Sequence, residues 1–227
     1  YASNDSISAI STSAIYPGSL QKLKIEHNFI QEFSNINFTL ITLTNLQWLY
    51  ASSAMDNSQS NGINLNIPSI LPNIELIDLS FNNFLGPFPS DILEKCINIE
   101  SIYLNNNSIF GKLPIPSGSI STGPLSGFLA YPGTRVLKEL NLHNNQLSGT
   151  VRLDWLFNSQ FAINIGNNGA GMPLEYLNFS DNAFKEIGPR LNDNNINVII
   201  NALLSQRFSS LSSLIVHQNA FDFKDLY

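Results

Sequence analysis

One pattern recurs along this chain and restricts its fold more than any other feature. It reads apolar, two residues, apolar, one residue, apolar, two residues, Asn, one residue, apolar. The first copy is Leu20, Leu23, Ile25, Asn28 and Ile30; the next good one is Ile74, Ile77, Leu79, Asn82 and Phe84. Ile99, Ile102, Leu104, Asn107 and Ile109 follow, then Leu137, Leu140, Leu142, Asn145 and Leu147. Leu174, Leu177, Phe179, Asn182 and Phe184 make the next, and Leu211, Leu214, Val216, Asn219 and Phe221 the last. A degenerate copy, Leu46, Leu49 and Ala51, lies between the first two and has Ala54 in the Asn position.

The central apolar-x-apolar pair has period two, so its side chains share one side of a short strand. Such a strand cannot stand alone and must stack on its neighbours. The Asn falls where the chain leaves the strand. Buried there, its amide can serve the backbone of adjacent turns; without stacking it is a costly orphan. The expected result is an α/β solenoid with a parallel sheet along one face. Composition agrees. The chain holds 31 Asn, a residue poor in helix interiors and good in turns, and 43% hydrophobic residues, too many for a disordered chain.

The pattern resembles the leucine-rich repeat family. Phe84-Leu85-Gly86-Pro87-Phe88-Pro89 and Ile109-Phe110-Gly111-Lys112-Leu113-Pro114 are similar to the plant-type variant, in which Gly and Pro follow the strand; Leu147-Ser148-Gly149-Thr150-Val151 keeps only the Gly. The resemblance implies a horseshoe of about seven repeats with the parallel sheet on its concave face. Residues 1–19 form an N-terminal flank or partial repeat, and 20–227 a single leucine-rich repeat solenoid. Such a motif specifies fold far more than function.

Steps between successive Asn positions are 26, 28 and 25 residues, then 38, 37 and 37. The C-terminal half therefore carries longer inserts. Residues 114–134 are rich in Pro, Gly and Ser and read as a loop. Residues 157–172 are turn-rich. Ile196, Ile199, Ile200, Leu203 and Leu204 recur at helical spacing, which predicts an amphipathic helix over 194–208. A shorter helix is expected at Ser90 to Cys96, with Ser90 or Asp91 near its N-cap.

Residues flanking the apolar pair face the concave side. One column is Lys22, Trp48, Leu76, Ser101, Glu139, Tyr176 and Ser213; the next is Lys24, Tyr50, Asp78, Tyr103, Asn141, Asn178 and Ile215; the third includes His143 and His217. Trp48, Tyr50, Tyr103 and Tyr176 stand out, since exposed aromatics anchor interfaces. Either they bind a partner or an insert or another chain covers them. Asp78, Asn141 and His143 complete the candidate binding set.

No catalytic or metal constellation is evident. His143 and His217 are two repeats apart, roughly 10 Å at the strand spacing, too far to share one ion. No Cys or carboxylate spacing completes a zinc site. Gly166 to Gly171 lacks the Lys and Ser/Thr of a phosphate loop, and Asp193 lies in a run that lacks the Gly and distal Glu of a calcium loop. Cys96 is the sole cysteine, so no internal disulfide exists; it reads as a small buried apolar residue. Charged residues are 12% of the chain with a net charge of −6, which disfavours a nucleic-acid groove. No apolar run reaches a membrane span.

Sequons occur at Asn4, Asn37, Asn106 and Asn178. Their number is what chance gives in so Asn-rich a chain. Asn37 is expected in an outer segment, whereas Asn178 is expected to point out of the concave sheet, where a glycan would block the groove. The expected function is a non-enzymatic recognition or scaffolding module that binds protein or glycan through its concave face or inserts and needs no cofactor. The resemblance to cell-surface and secreted proteins implies an extracellular place; the absence of paired cap cysteines departs from a typical plant receptor ectodomain. An alternative is a structural subunit that self-assembles by packing of uncapped solenoids.

Overall fold

Period-two patterning produces strands only three residues long, stacked in register. The computed structural model describes residues 18–30, 43–55, 63–64, 71–89, 91–113, 136–152, 173–188 and 210–221. In chain order the elements are β1 (Lys22–Lys24), β2 (Trp48–Tyr50), β3 (Ile63–Asn64), β4 (Leu76–Asp78), β5 (Phe84–Pro87) and α1 (Asp91–Lys95). Then come β6 (Ser101–Tyr103), β7 (Ser108–Lys112), β8 (Glu139–Asn141), β9 (Gln146–Arg152), β10 (Tyr176–Asn178), β11 (Ala183–Gly188) and β12 (Ser213–Ile215). The concave sheet is parallel, in the order β1-β2-β4-β6-β8-β10-β12. Its register matches the repeat position for position: Leu23, Leu49, Ile77, Ile102, Leu140, Leu177 and Leu214 lie side by side. The carbonyl before each strand accepts two N–H groups from the next repeat, as Glu75 O does from Glu100 and Ser101 at 2.7 and 3.0 Å.

The repeated Asn is what ties one turn to the next. Asn82 Nδ2 donates to Leu79 O (2.8 Å) and Ser80 O (3.0 Å) in its own turn and to Ala51 O (2.9 Å) in the preceding one. Its Oδ1 accepts the N–H of Met55 at 2.9 Å. Asn107, Asn145, Asn182 and Asn219 repeat this set, each accepting from the repeat before it: Phe84, Ile109, Leu147 and Phe184. Ala54 tests the arrangement. Where it replaces Asn, the Ile30 N–H donates to the Ala54 carbonyl itself at 2.9 Å, and Ile30 and Met55 form a parallel bridge. The backbone closes into the space that the amide fills elsewhere.

A second row of amides reinforces the shorter repeats. Asn45 Nδ2 donates to Gly18 O (2.6 Å), Asn73 to Thr44 O (2.6 Å) and Asn98 to Pro72 O (2.9 Å). Val136, Pro173 and Ser210 occupy the equivalent places in the later repeats, so this row ends where the inserts begin.

The residue before each repeat Asn adopts a left-handed conformation: His27, Ser53, Phe81, Asn106, Asn144, Asp181 and Gln218 have φ of 51–57°. That geometry turns the chain out of the strand and lets each such N–H, in all but the last, reach a carbonyl of the next repeat. Asn and Asp tolerate it; Phe81, 52% exposed, does not gain burial from it.

Beyond the Asn the chain enters a second parallel sheet, ordered β11-β9-β7-β5-β3. The sequence reading anticipated the concave sheet and not this one. Gly86, Gly111 and Gly149 sit in it at φ 124°, 85° and 83°, values that L side chains resist. The core lies between the sheets and includes Leu49, Ile77, Ile102, Leu140 and Leu177 from one side and Phe84, Ile109, Leu147 and Phe184 from the other. Phe179 and Phe184 meet edge to face at 5.8 Å between ring centroids. The expected short helix is present as α1; it buries Ile92 and Leu93, and Cys96 just beyond it is buried too. The inserts 114–134 and 157–172, the expected helix over 194–208, and all but two residues of the 1–19 flank lie outside the described residues.

Two substitutions check this account. Asn82→Ala orphans the Met55 N–H and loosens three carbonyls, so urea unfolding should report a loss of about 3 kcal/mol; a loss below about 1 kcal/mol contradicts the bridging role. Phe81→Asn should raise stability by about 0.5 kcal/mol, because Asn tolerates the left-handed position and little burial is lost; a lower urea midpoint contradicts it.

Candidate functional site

Parallel register sets the concave columns side by side. Lys22, Trp48, Leu76, Ser101, Glu139, Tyr176 and Ser213 form one row, and Lys24, Tyr50, Asp78, Tyr103, Asn141, Asn178 and Ile215 the next. Because strand neighbours satisfy the backbone between them, side chains alone face outward. Trp48, Tyr50, Asp78, Tyr103, Asn141, His143 and Tyr176 all lie on this one surface and all are half-buried.

At its start the surface is basic and aromatic. Lys22 and Lys24 Nζ lie 5.0 and 4.9 Å from the Tyr50 ring centroid, and Glu26 Oε2 lies 3.4 Å from Lys24 Nζ. Trp48 and Leu76 adjoin them in the first row. In the middle, the Tyr103 hydroxyl donates to Glu139 Oε2. Along the strand-entry rim, Lys138 Nζ is 2.7 Å from Glu100 Oε2. That hydrogen bond raises the lysine above its ordinary pKa against an opposing effect of desolvation, with the charges of Glu100, Glu175 and Glu75 adding to the rise.

Several candidates serve the fold as well as the surface. The Oδ1 atoms of Asp78, Asn141 and Asn178 accept the N–H two residues on, from Ser80, His143 and Ser180, at 3.0, 3.1 and 3.0 Å. These side chains close the strand ends locally. Asp78 Oδ1 also accepts the Ser80 hydroxyl at 2.6 Å, and Ser80 Oγ lies 3.1 Å from Ser52 Oγ.

The expectation that Asn178 points into the groove needs correction. It lies on the concave sheet, yet it is 8% exposed. Its Nδ2 donates to the Tyr176 hydroxyl at 3.1 Å, and its Oδ1 accepts Ser180 Oγ at 2.7 Å. Asn106 is half-buried; its Oδ1 accepts Asn144 Nδ2 at 2.9 Å. Asn4 and Asn37 lie outside the described residues.

The structure also gathers residues that the column reading kept apart. His143 Nδ1 is 2.9 Å from Asp181 Oδ2, and His217 Nε2 is 3.9 Å from the same oxygen. Asp181 sits in the left-handed turn between them, a position the sequence pattern gives no reason to single out. Ser180 Oγ lies 2.9 Å from His143 Nδ1. Ser, His and Asp thus meet, but not as a relay. Both partners contact the same ring nitrogen, whereas a nucleophile and its orienting carboxylate need opposite ones. Ser180 is also 1% exposed. Among the described residues no three His, Cys, Asp or Glu side chains are placed to hold a metal ion, and no helix is long and apolar enough to cross a membrane.

A sequence model of the Leucine Rich Repeat family matches residues 73–94 and 136–158. Receptor-like protein 13 of Arabidopsis thaliana is 33% identical over 99 residues, 42% of this chain and 9% of that protein. The chain thus corresponds to less than a tenth of the length of this curated relative. Among solved structures, a TDR receptor aligns over 89% of this chain and 31% of its own, with 20% identity and a TM-score of 0.53. A leucine-rich repeat protein of Leptospira interrogans aligns over 82% of this chain and 38% of its own, with 18% identity and a TM-score of 0.53. These two establish likeness of fold. Six copies of one motif and a degenerate seventh, stacked in register, linked through the repeated Asn and backed by a second sheet at glycines of positive φ, give this chain the fold of a leucine-rich repeat solenoid, with repeats that resemble the plant type.

Proposed function

We propose that this chain is a non-enzymatic recognition module that binds a protein partner across its concave face and is displayed at the cell surface. One observation carries the reading: Trp48, Tyr50, Tyr103 and Tyr176 stand half-buried on a single sheet surface. Large, stiff side chains of this kind lose little entropy on binding and contribute much contact area. The polar residues among them are already fixed by local hydrogen bonds, so the surface is preorganised. Likeness to a receptor-like protein of Arabidopsis thaliana supports surface display.

A binding test uses the immobilised chain against a panel of extracellular domains and extended peptides. Trp48→Ala and Tyr176→Ala should each weaken a recovered partner about tenfold, or about 1.4 kcal/mol. A partner unaffected by both substitutions overturns the concave reading.

Surface display has its own test. Protein recovered from a secretory host should carry a sugar at Asn106, whose Nδ2 has no partner among the described residues. It should lack one at Asn178, whose Nδ2 is bonded to Tyr176. Peptide mapping before and after glycan removal reads both sites, and a modified Asn178 beside a bare Asn106 contradicts the prediction.

A further inference from the structure

The concave face already carries cations on a tyrosine. Tyr50 has the Lys22 and Lys24 ammonium groups at 5.0 and 4.9 Å from its ring centroid, with the Glu26 carboxylate close to Lys24. Ring, carboxylate and ammonium together form a stable cation site.

The same parts recur further along the sheet, without the cation. Glu139 lies on β8, directly beside Tyr176 on β10. Tyr103, on the other flanking strand, donates its hydroxyl to Glu139 Oε2. That bond orients the carboxylate and leaves Oε1 without a partner among the described residues. The Tyr176 hydroxyl accepts Asn178 Nδ2 at 3.1 Å, which lays the ring along its own strand. Neighbouring strands are about 4.8 Å apart, so one planar cation can rest on a tyrosine face and still reach Oε1. Lys138 does not fill the place, being paired with Glu100 at 2.7 Å.

We infer that Tyr103, Glu139 and Tyr176 form a receiving site for one cationic side chain, preferentially arginine, of the partner that the concave face binds. The inference rests on the proposed role of that face and adds the chemistry of one contact. Arginine suits it better than lysine because a guanidinium stacks flat on the ring and donates sideways to a carboxylate. The protein supplies its own cation at Tyr50; at Glu139 the partner supplies it.

The test follows tyrosine-ring NMR signals while N-acetyl-arginine amide is added to the whole chain, with N-acetyl-citrulline amide as the neutral isostere. Arginine amide should give saturable shifts at Tyr103 and Tyr176 and leave Tyr50 unmoved. Citrulline amide should bind at least about fivefold more weakly, and Glu139→Gln should weaken arginine amide by about the same factor. The Gln variant keeps an acceptor for the Tyr103 hydroxyl and so keeps the local fold. Tyr176→Leu gives a second variant, which removes the ring face and should also abolish the shifts. Equal shifts with citrulline, shifts that survive Glu139→Gln, or no saturable shift would each overturn the site. Failure of this inference is separable from failure of the recognition role. A partner lost on Trp48→Ala but indifferent to Glu139→Gln leaves the concave face binding and removes the cation site.

Discussion

The buried amide of the repeated Asn is the interaction on which the rest of this structure depends. A three-residue strand has too little area to hold its place by packing alone. Asn82 gives its turn a fixed link to the one before, with two kinds of bond pointing the same way: Nδ2 to Ala51 O and Oδ1 from the Met55 N–H. Each such bond contributes about 1 kcal/mol net, and leaving one of its buried partners orphaned costs more. The repeat unit is thus held by the penalty for separating it from its neighbour. The Ala54 turn, where backbone replaces amide, shows that the demand belongs to the Ile30 N–H and not to the Asn as such.

Two consequences follow from holding the turns this way. The chain must swing out of each strand at the same point, which forces a left-handed residue before every Asn position whatever its type, from Asn144 to Phe81. It must also continue across the top of the core, where the glycines at φ 83–124° allow a second sheet. The solenoid is therefore held on both sides of its core, and the concave strands can give their outward side chains to other work. That separation of duties is incomplete. Asp78, Asn141 and Asn178 cap strand ends with the same side chains that line the surface.

Function on such a surface is a matter of which side chains meet across strands. A tyrosine with lysines over it, a carboxylate oriented by one tyrosine beside another, and two histidines around Asp181 are all products of register. None involves residues adjacent in sequence at repeat spacing alone. The Ser180, His143 and Asp181 grouping lacks the opposed geometry that proton relay requires.

The sequence by itself determined the repeat, the concave strands, the apolar side that packs inward, the short helix near Cys96 and the column to which each outward residue belongs. Those follow from period-two alternation and the fixed place of Asn, which are local properties. It did not give the second sheet, although Gly86, Gly111 and Gly149 marked it, because a positive φ is visible only once the backbone has been bent. The row of Asn45, Asn73 and Asn98 passed as turn composition, because its acceptors lie 26–29 residues away in the preceding repeat. Asn178 read as an outward amide and proved to be 8% exposed, because Tyr176 and Ser180 close over it. Column and facing are fixed along one strand; partners and exposure are decided between strands, and only stacking brings those together.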